Sequence, residues 1–365
     1  MITKISTLPY ALLTSRPVPE LFVEQLAKFT LESIHAEKVM PFDVMEAEQV
    51  LLRAEDALVL GADFGGDKGV TRLFRVKNGR LTIHPGYEDY VQADHGAGYL
   101  QSLERTAVFA RRYNVPIGIS WGAPIEGSKP LFHPKAKQFL YELNQKYDGD
   151  LQNVVPNLRA VMNDGPAGLI SGAMEVARRQ EVTVVELIIN GGGLGGAVLV
   201  DNTLFSIEAG HVEGVAALNT YHQKTECGVY GATHTCIEQL GANKAGIEAQ
   251  WQQLTGQYAR AIEIENQYKA GDELAADLYD HSSFVAAHQV AGVAQAFGMD
   301  IGSTGTVIVG HGGAFKFPYY GERIVQILEA FYETRAHLIM TKDYTHADSN
   351  ACLDGAAFAA LVAGS

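Results

Sequence analysis

The sequence predicts an α/β fold built as two lobes. Three observations carry the prediction. Helix-period and strand-period segments mix along the whole chain, which is the pattern of an α/β class. A hairpin with a glycine-rich turn occurs once in each half, at "GADFGGDKG" and at "NGGGLGGA", as two similar lobes would show. At 365 residues the chain is too long for one small core. No low-complexity linker separates the halves, so the two lobes are expected to share a cleft.

The elements follow in order. "PELFVEQLAKFTLESI" carries apolar residues at helical spacing behind Pro19, and residues 19–55 read as helical. Strand-like runs then begin with "ALVLGAD" and "TRLFRVKNGRLTIH". The helix "GYLQSLERTAVFARRYN" and the strand "VPIGISWGAP" come next. The pattern repeats in kind. "NLRAVMND" is a short strand, "GPAGLISGAMEVARRQ" a helix, and "VTVVELIINGGGLGGAVLVDNTLFSIEAG" a second strand pair. Residues 235–298 read as mostly helical. "TGTVIVGHGGAF" is a late strand ending in glycines, followed by the helices "YGERIVQILEAFYET" and "NACLDGAAFAALVAG".

Composition narrows the function. Apolar residues make up 47% and charged residues 19%, which is ordinary for a globular protein. Lysine and arginine number 28 against 42 acids, a net charge of −14. That balance argues against nucleic acid or an anionic membrane as the main partner, though a local backbone nest still accommodates phosphate. The first residues lack the apolar core of a signal peptide, and no run is long and apolar enough to span a membrane. Cys227, Cys236 and Cys352 are too few and odd in number for a disulfide framework. A cytoplasmic enzyme with reduced thiols is the expectation.

The chemistry concentrates in the glycine turns. "GADFGGDKG", "NGGGLGGA" and "VGHGGAF" each follow an apolar strand. A single such turn needs no more explanation than a hairpin's demand for positive φ. As a set, their backbone N–H groups can converge on phosphate oxygens, with no side chains to keep the phosphate away. Asp63, just before the first turn, cannot bind phosphate itself but can hold a Mg²⁺ that bridges to it. "AVMNDGPAG" places Asn163 and Asp164 at a strand end before a helix. An Asp there suits a base that orients a hydroxyl and takes its proton; a pair that merely caps the helix is the plainer alternative.

These motifs resemble the ROK (repressor, ORF, kinase) branch of the actin/hexokinase/Hsp70 ATPase superfamily. "GADFGGDKGVTRL" is similar to its first phosphate motif, Asp-x-Gly-Gly-Thr-Lys; "NGGGLGGAVLVDN" to the second; and "VIVGHGGAF" to the adenosine motif, in the family's order, over about residues 56–362. The resemblance implies a two-lobed actin/hexokinase-like (ribonuclease H-like) fold with ATP and acceptor in the interlobe cleft. The expected parts are an N-terminal helical extension at 1–55, a small lobe at 56–163 completed by the C-terminal helix 347–365, and a large lobe at 164–346. The ATP and phosphate contacts implied are Asp63, Gly65, Gly66, Asp67, Lys68, Gly192, Gly193, Gly195, Gly196, Gly312 and Gly313. Asp67 stands where the family has Thr, and a carboxylate near a γ-phosphate repels it unless a metal or Lys68 offsets the charge.

On the acceptor side, Asn163 and Asp164 match the family's Asn-Asp-Ala-Asn-Ala, in which Asn contacts the sugar and Asp is the base; Gly165 and Pro166 depart from it. "IEAGHVEG" is similar to Glu-x-Gly-His, so Glu208 and His211 are implied sugar contacts, joined by Glu238 and by Gly122 in "GISWGAP". Trp121 beside it either stacks on a sugar face or, the plainer reading, packs in the core. His211 is also an implied zinc ligand. The family's zinc motif, Cys-x-Cys-Gly-x-x-Gly-Cys-x-Glu, is matched by Cys227 and Cys236, with Thr225 at the first cysteine. Either His222 or His234 replaces the missing thiol, or the region is metal-free and held by packing.

The expected function is an ATP-dependent sugar kinase using Mg²⁺ and acting on the 6-hydroxyl of a hexose such as glucose. The alternatives are a non-catalytic sugar sensor or scaffold on the same fold, and a kinase for another small hydroxylated acceptor. A homodimer is expected, with the N-terminal helices either covering a lobe or forming its contact.

Overall fold

The computed structural model describes residues 26–363 apart from 67, 93–95, 132, 134, 179–183, 215–224, 228–230, 232, 334 and 346–348. The first half runs through β1 (Glu37–Pro41), α1 (Val44–Arg53), β2 (Leu58–Phe64), β3 (Lys68–Lys77), β4 (Arg80–Gln92), α2 (Tyr99–Tyr113), β5 (Ile117–Trp121), β6 (Ile125–Glu126), β7 (Lys129–Pro130), α3 (Lys137–Tyr147), α4 (Leu151–Val154), β8 (Leu158–Asn163) and α5 (Asp164–Ala177). The second half runs through β9 (Val184–Asn190), β10 (Leu194–Val200), β11 (Thr203–Ile207), β12 (Thr225–Glu226), β13 (Thr233–His234), α6 (Ile237–Gly241), α7 (Ala249–Thr255), α8 (Ala261–Lys269), α9 (Glu273–Phe297), β14 (Thr306–His311), α10 (Pro318–Tyr332), β15 (Leu338–Met340) and α11 (Ala351–Val362).

The chain divides into two units. The smaller comprises Val39–Glu181, Asn202–Leu204 and Tyr344–Ser365; the larger comprises Met1–Lys38, Val182–Asp201 and Phe205–Asp343. The smaller unit holds a sheet in the order β4-β3-β2-β5-β8; a second sheet has the order β1-β11-β10-β9-β14-β15, and its β10, β9, β14 and β15 belong to the larger unit. In the first, β4, β3 and β2 pair antiparallel, and β5 and β8 follow in parallel. In the second, β10 pairs antiparallel with β9, and β14 and β15 follow in parallel. The outer hairpins correspond as well. β3 turns to β4 through Asn78 and Gly79 at φ 53° and 67°, and β10 turns to β11 through Asp201 and Asn202 at φ 48° and 53°. Both turns have the two positive φ values that match strand twist.

Each unit encloses its own core. Leu60, Leu103, Ile119 and Phe139 are among the buried residues of the smaller. Ile188, Val198, Val285 and Ile308 are among those of the larger. Helix α9 is buried along most of its length, capped by the Asp272 side chain, which accepts from Ala275 N, and closed by Gly298 in the left-handed region. Helix α11 lies against β2 and β5 at backbone distance. A Cβ at Gly61 would stand 2.5 Å from the Leu353 carbonyl, and one at Gly118 would overlap that of Ala356.

The helical reading of residues 19–55 holds at Leu26 and over α1 and fails between them. Residues 27–36 make turns, followed by the unanticipated β1. Ser33 Oγ donates to the Lys28 carbonyl at 2.6 Å, and the Thr30 and Ser33 side chains each accept a backbone N–H from the other. Such local bonds compete with helix continuation. Residues 19–25 lie outside the described residues. Among the described residues, no helix is long and apolar enough to cross a membrane.

Candidate active site

Three parallel strands of the smaller unit end side by side. Asp63 of β2 pairs in register with Ser120 of β5, and Phe64 with Trp121. Trp121 in turn pairs with Asn163 of β8. The carboxyl ends of parallel strands are where open α/β sheets bind ligands, and here the register alone gathers Asp63, Gly122, Asn163 and Asp164. Asp63 accepts from Ser120 Oγ at 2.8 Å and from Asn350 Nδ2 at 3.2 Å. Burial pushes its pKa above the ordinary carboxylate value, opposed by those two donors and by the Lys68 charge.

The turn after β2 is held by its own backbone. Gly65 N donates to the Lys68 carbonyl at 3.0 Å, and Tyr99 Oη donates to the Gly65 carbonyl at 2.8 Å. Gly122 N donates to the Phe64 carbonyl at 3.0 Å, which brings the end of β5 against this turn. A Cβ on Gly66 would meet Lys135 Cδ at 3.1 Å, Lys135 Nζ at 3.4 Å and His133 Cε1 at 3.7 Å. Lys135 and His133 therefore flank the turn, and sequence reasoning missed both. Their signal was the basic run "LFHPKAK" after β7. Lys68 is exposed at the start of β3, and Asp67 lies outside the described residues. Trp121 is buried against His133 and Phe139, in the core rather than at a surface.

Asn163 caps α5: its side-chain oxygen accepts from Gly165 N at 2.9 Å. Asp164 is the first residue of that helix. Burial, then the nearby Asp63 carboxylate, raise its pKa to about 7, while the N–H groups of Gly165 and of Asp164 itself pull it down. Cys352 Sγ donates to the Asp164 carbonyl at 3.4 Å.

The larger unit presents a second glycine cluster. Gly191 N donates to the Gly193 carbonyl at 3.1 Å, closing the turn from β9 to β10. Open space surrounds Gly192, whereas Gly193 abuts the Glu238 carboxylate. Gly195 and Gly196 lie within β10 rather than in the turn; a Cβ on Gly196 would stand 2.8 Å from the Leu187 carbonyl. Gly312, at φ 102°, follows β14 directly against the Asn190 backbone, and a Cβ on Gly313 would stand 3.0 Å from Asn243 Nδ2. Asn190 ties the cluster together, donating to the Gly241 carbonyl at 3.1 Å and accepting from Asn243 N at 2.8 Å. Asn190 and Asn243 were also missed, although Asn190 stands directly before the three glycines. Asn243 Oδ1 is buried with no hydrogen-bond partner among the described residues.

In the same unit His211 gathers polar and sulfur groups. Its Nδ1 lies 3.6 Å from Cys227 Sγ and 3.8 Å from Cys236 Sγ. Glu238 Oε1 is 3.6 Å from Nδ1, and Glu208 Oε2 is 3.8 Å from Nε2. Burial and the neighbouring His234 and His35 lower the His211 pKa to about 4, so the ring is neutral. Burial raises Glu238 to about 7 and, with Cys227 and Glu238 beside it, pushes the Cys236 thiol far up. Ligand atoms of His211, Cys227 and Cys236 lie within 4.8 Å of one another. Thr225 pairs in register with His234, whose Nε2 is 3.3 Å from Cys236 Sγ. A neutral imidazole and two thiols converging in a buried spot fit Zn²⁺, whose charge would favour the thiolates. His222 lies outside the described residues.

Residues 111–362 match the model of the ROK family. The fold matches a ROK hexokinase of Thermus thermophilus with a TM-score of 0.59 at 19% identity, covering 83% of this chain and 97% of that one. It matches a ROK family glucokinase of Streptomyces griseus, solved with glucose and AMPPNP, with a TM-score of 0.57 at 19% identity, covering 83% and 99%. A ROK family protein of Streptococcus pneumoniae in complex with sucrose gives 0.61 at 14% identity, covering 82% and 96%. No curated relative matches the sequence. The α/β, two-sheet, two-lobed architecture is that of the ROK hexokinase structures.

Proposed function

Since the chain belongs to the ROK family, we propose that it is an ATP-dependent sugar kinase, transferring the γ-phosphoryl group of ATP to a hexose hydroxyl, with the 6-hydroxyl of glucose as the first candidate. The observation that carries this reading is Asp164, a carboxyl held at about 7 beside Asp63 at the aligned strand ends. A base poised near neutral pH combines a large ionised fraction with useful proton affinity. Asp164 takes the hydroxyl proton as the sugar oxygen bonds to phosphorus and ADP leaves with the bridging oxygen.

The other residues orient and bind. The Asn163 oxygen is committed to the helix cap, which leaves its amide NH₂ to donate to a sugar hydroxyl. Glu208, His211 and Glu238 supply a mixed set of donors and acceptors, and Gly122 leaves room for the sugar. Gly66, Gly192 and Gly193 offer backbone amides to phosphates, while Gly65, whose N–H closes the turn onto the Lys68 carbonyl, keeps side-chain bulk away; Lys68 and Lys135 are the cations beside the first turn. Gly195 and Gly196 shape the strand behind the second turn, and Gly312 and Gly313, packed against the Asn190 backbone and Asn243, set the turn that adenosine would lie against. Asp63 suits Mg²⁺: a hard oxygen donor with one hydrogen bond to each oxygen, so lone pairs remain. Bound there, the ion would neutralise charge on the phosphates. His211, Cys227, Cys236 and His234 would hold a structural zinc. A cytoplasmic homodimer completes the proposal.

A screen of ATP consumption across hexoses, N-acetylhexosamines and polyols tests the reading. Sugar-dependent ADP release is expected for at least one hexose. ADP release from none of them overturns it.

A further inference from the structure

We propose that Ser120 and Asn350 form a two-donor clasp that fixes the Asp63 carboxylate for its cation, and that Asn350 thereby makes the N-terminus of the last helix part of the nucleotide site. The proposal deepens the kinase reading and rests on it.

Each carboxylate oxygen takes one donor: Ser120 Oγ on Oδ1 at 2.8 Å and Asn350 Nδ2 on Oδ2 at 3.2 Å. Two donors on different oxygens fix the plane of the group and leave the remaining lone pairs for a hydrated metal. Both donors are neutral. A lysine or arginine in their place would bind the carboxylate as a competing cation. The two arrive by independent routes. Ser120, fully buried, is the register partner of Asp63 on the adjacent parallel strand. Asn350 is the N-cap of α11, and its Oδ1 accepts from Leu353 N at 2.8 Å.

That cap decides which way the amide points. With Oδ1 committed to the helix, the NH₂ faces Asp63; the reverse orientation would set an oxygen against a carboxylate and lose the cap. Ser, Thr, Asp and Asn all cap helices well. Of the four, only Asn accepts from the helix with one atom and donates to a carboxylate with another. Helix α11 is held in place by its backbone-distance approach to Gly61 and Gly118, so the donor it carries is positioned by the packing of the sheet. Both residues are positioning residues: they act through Asp63.

The test separates the cap from the clasp. Asn350→Ser keeps a capping side chain and removes the amide donor; Ser120→Ala removes the other donor and leaves the helix untouched. Affinity for a non-hydrolysable ATP analogue is measured by calorimetry with Mg²⁺ and again with the metal chelated, and unfolding temperature is recorded alongside. In each variant the affinity with Mg²⁺ should fall about tenfold, the scale of one lost hydrogen bond to a charged group. Affinity in chelator should stay within about twofold of wild type. Asn350→Ser should unfold close to wild type, because Ser and Asn cap about equally. A magnesium-dependent gain in both variants equal to that of wild type overturns the clasp and leaves the kinase reading standing. Loss of affinity to the same degree with and without Mg²⁺ also overturns it, since that pattern marks a general structural effect. A wild type whose nucleotide affinity gains nothing from Mg²⁺ overturns the clasp alone; a wild type that binds no nucleotide under any condition overturns the kinase reading with it.

Discussion

Asp164 and Glu186 are both carboxyls whose pKa values desolvation raises, and their surroundings give them opposite consequences. Asp164 has the helix N-terminus and two N–H groups to stabilise its charge, and it settles at about 7. As the proposed base it must accept a proton, so Asp164→Asn should lower kcat by at least about a hundredfold with sugar binding retained. Calorimetry of the sugar beside steady-state turnover checks both halves. Glu186, in the middle of β9, has nothing of the kind. It is 1% exposed, its Oε2 has no partner among the described residues, and burial holds its pKa well above the carboxylate range. An acid whose folded pKa is raised contributes its full stability below the unfolded value near 4.5. That contribution is lost as pH rises toward the folded value. Glu186→Gln removes the titration. Its unfolding temperature should exceed that of wild type by several degrees at pH 7.5, with the gap closing towards pH 5; a gap that does not change with pH removes Glu186 from the account.

At the scale of elements, glycines do two kinds of work, and the sequence reveals one better than the other. The turn glycines announce themselves by clustering after apolar runs, which is how Gly65, Gly66, Gly192, Gly193, Gly312 and Gly313 were found. Gly118 and Gly355 stand alone in a strand and a helix. What they permit, contact of α11 with β5 and of α11 with α5, joins segments far apart in the chain. A Cβ on Gly118 would overlap the Ala356 carbonyl, and one on Gly355 the Ala167 carbonyl, both backbone groups that cannot move singly. Gly118→Ala should therefore destabilise by at least about 2 kcal/mol in urea unfolding, more than a helix or strand propensity change explains. Long-range pairing also explains the misreading near the N-terminus. Periodicity favoured helix through residue 34, but local Thr30 and Ser33 bonds win there, and β1 owes its existence to β11 more than 160 residues later. His133 and Lys135 were hidden for the same reason: their loop reaches Gly66 through tertiary contact alone.

For the whole molecule, the two units repeat one plan, an antiparallel hairpin leading into parallel strands, each with its own core. Much of that was legible from the glycine-turn hairpins in each half, because a turn's φ requirement is local. The sulfur and histidine cluster was legible as a composition, and the fold supplies what composition lacks: register. Thr225 opposite His234 brings an imidazole beside the cluster, its Nε2 3.3 Å from Cys236 Sγ and 3.0 Å from the His211 carbonyl oxygen. Because His211, Cys227, Cys236 and His234 all belong to the larger unit, zinc binding energy should appear as folding energy of that unit. Purified protein should carry about one Zn²⁺ per chain by elemental analysis. Chelation should then cost hydrogen-exchange protection in β13, α6 and the β9–β10 hairpin packed beside them, while amides of β2, β5 and α11 keep theirs. Loss of protection spread evenly over both sheets would mean that the metal holds no particular unit. Zinc-free protein that is fully protected and active would leave the cluster held by packing, with neutral thiols as burial already favours for Cys236.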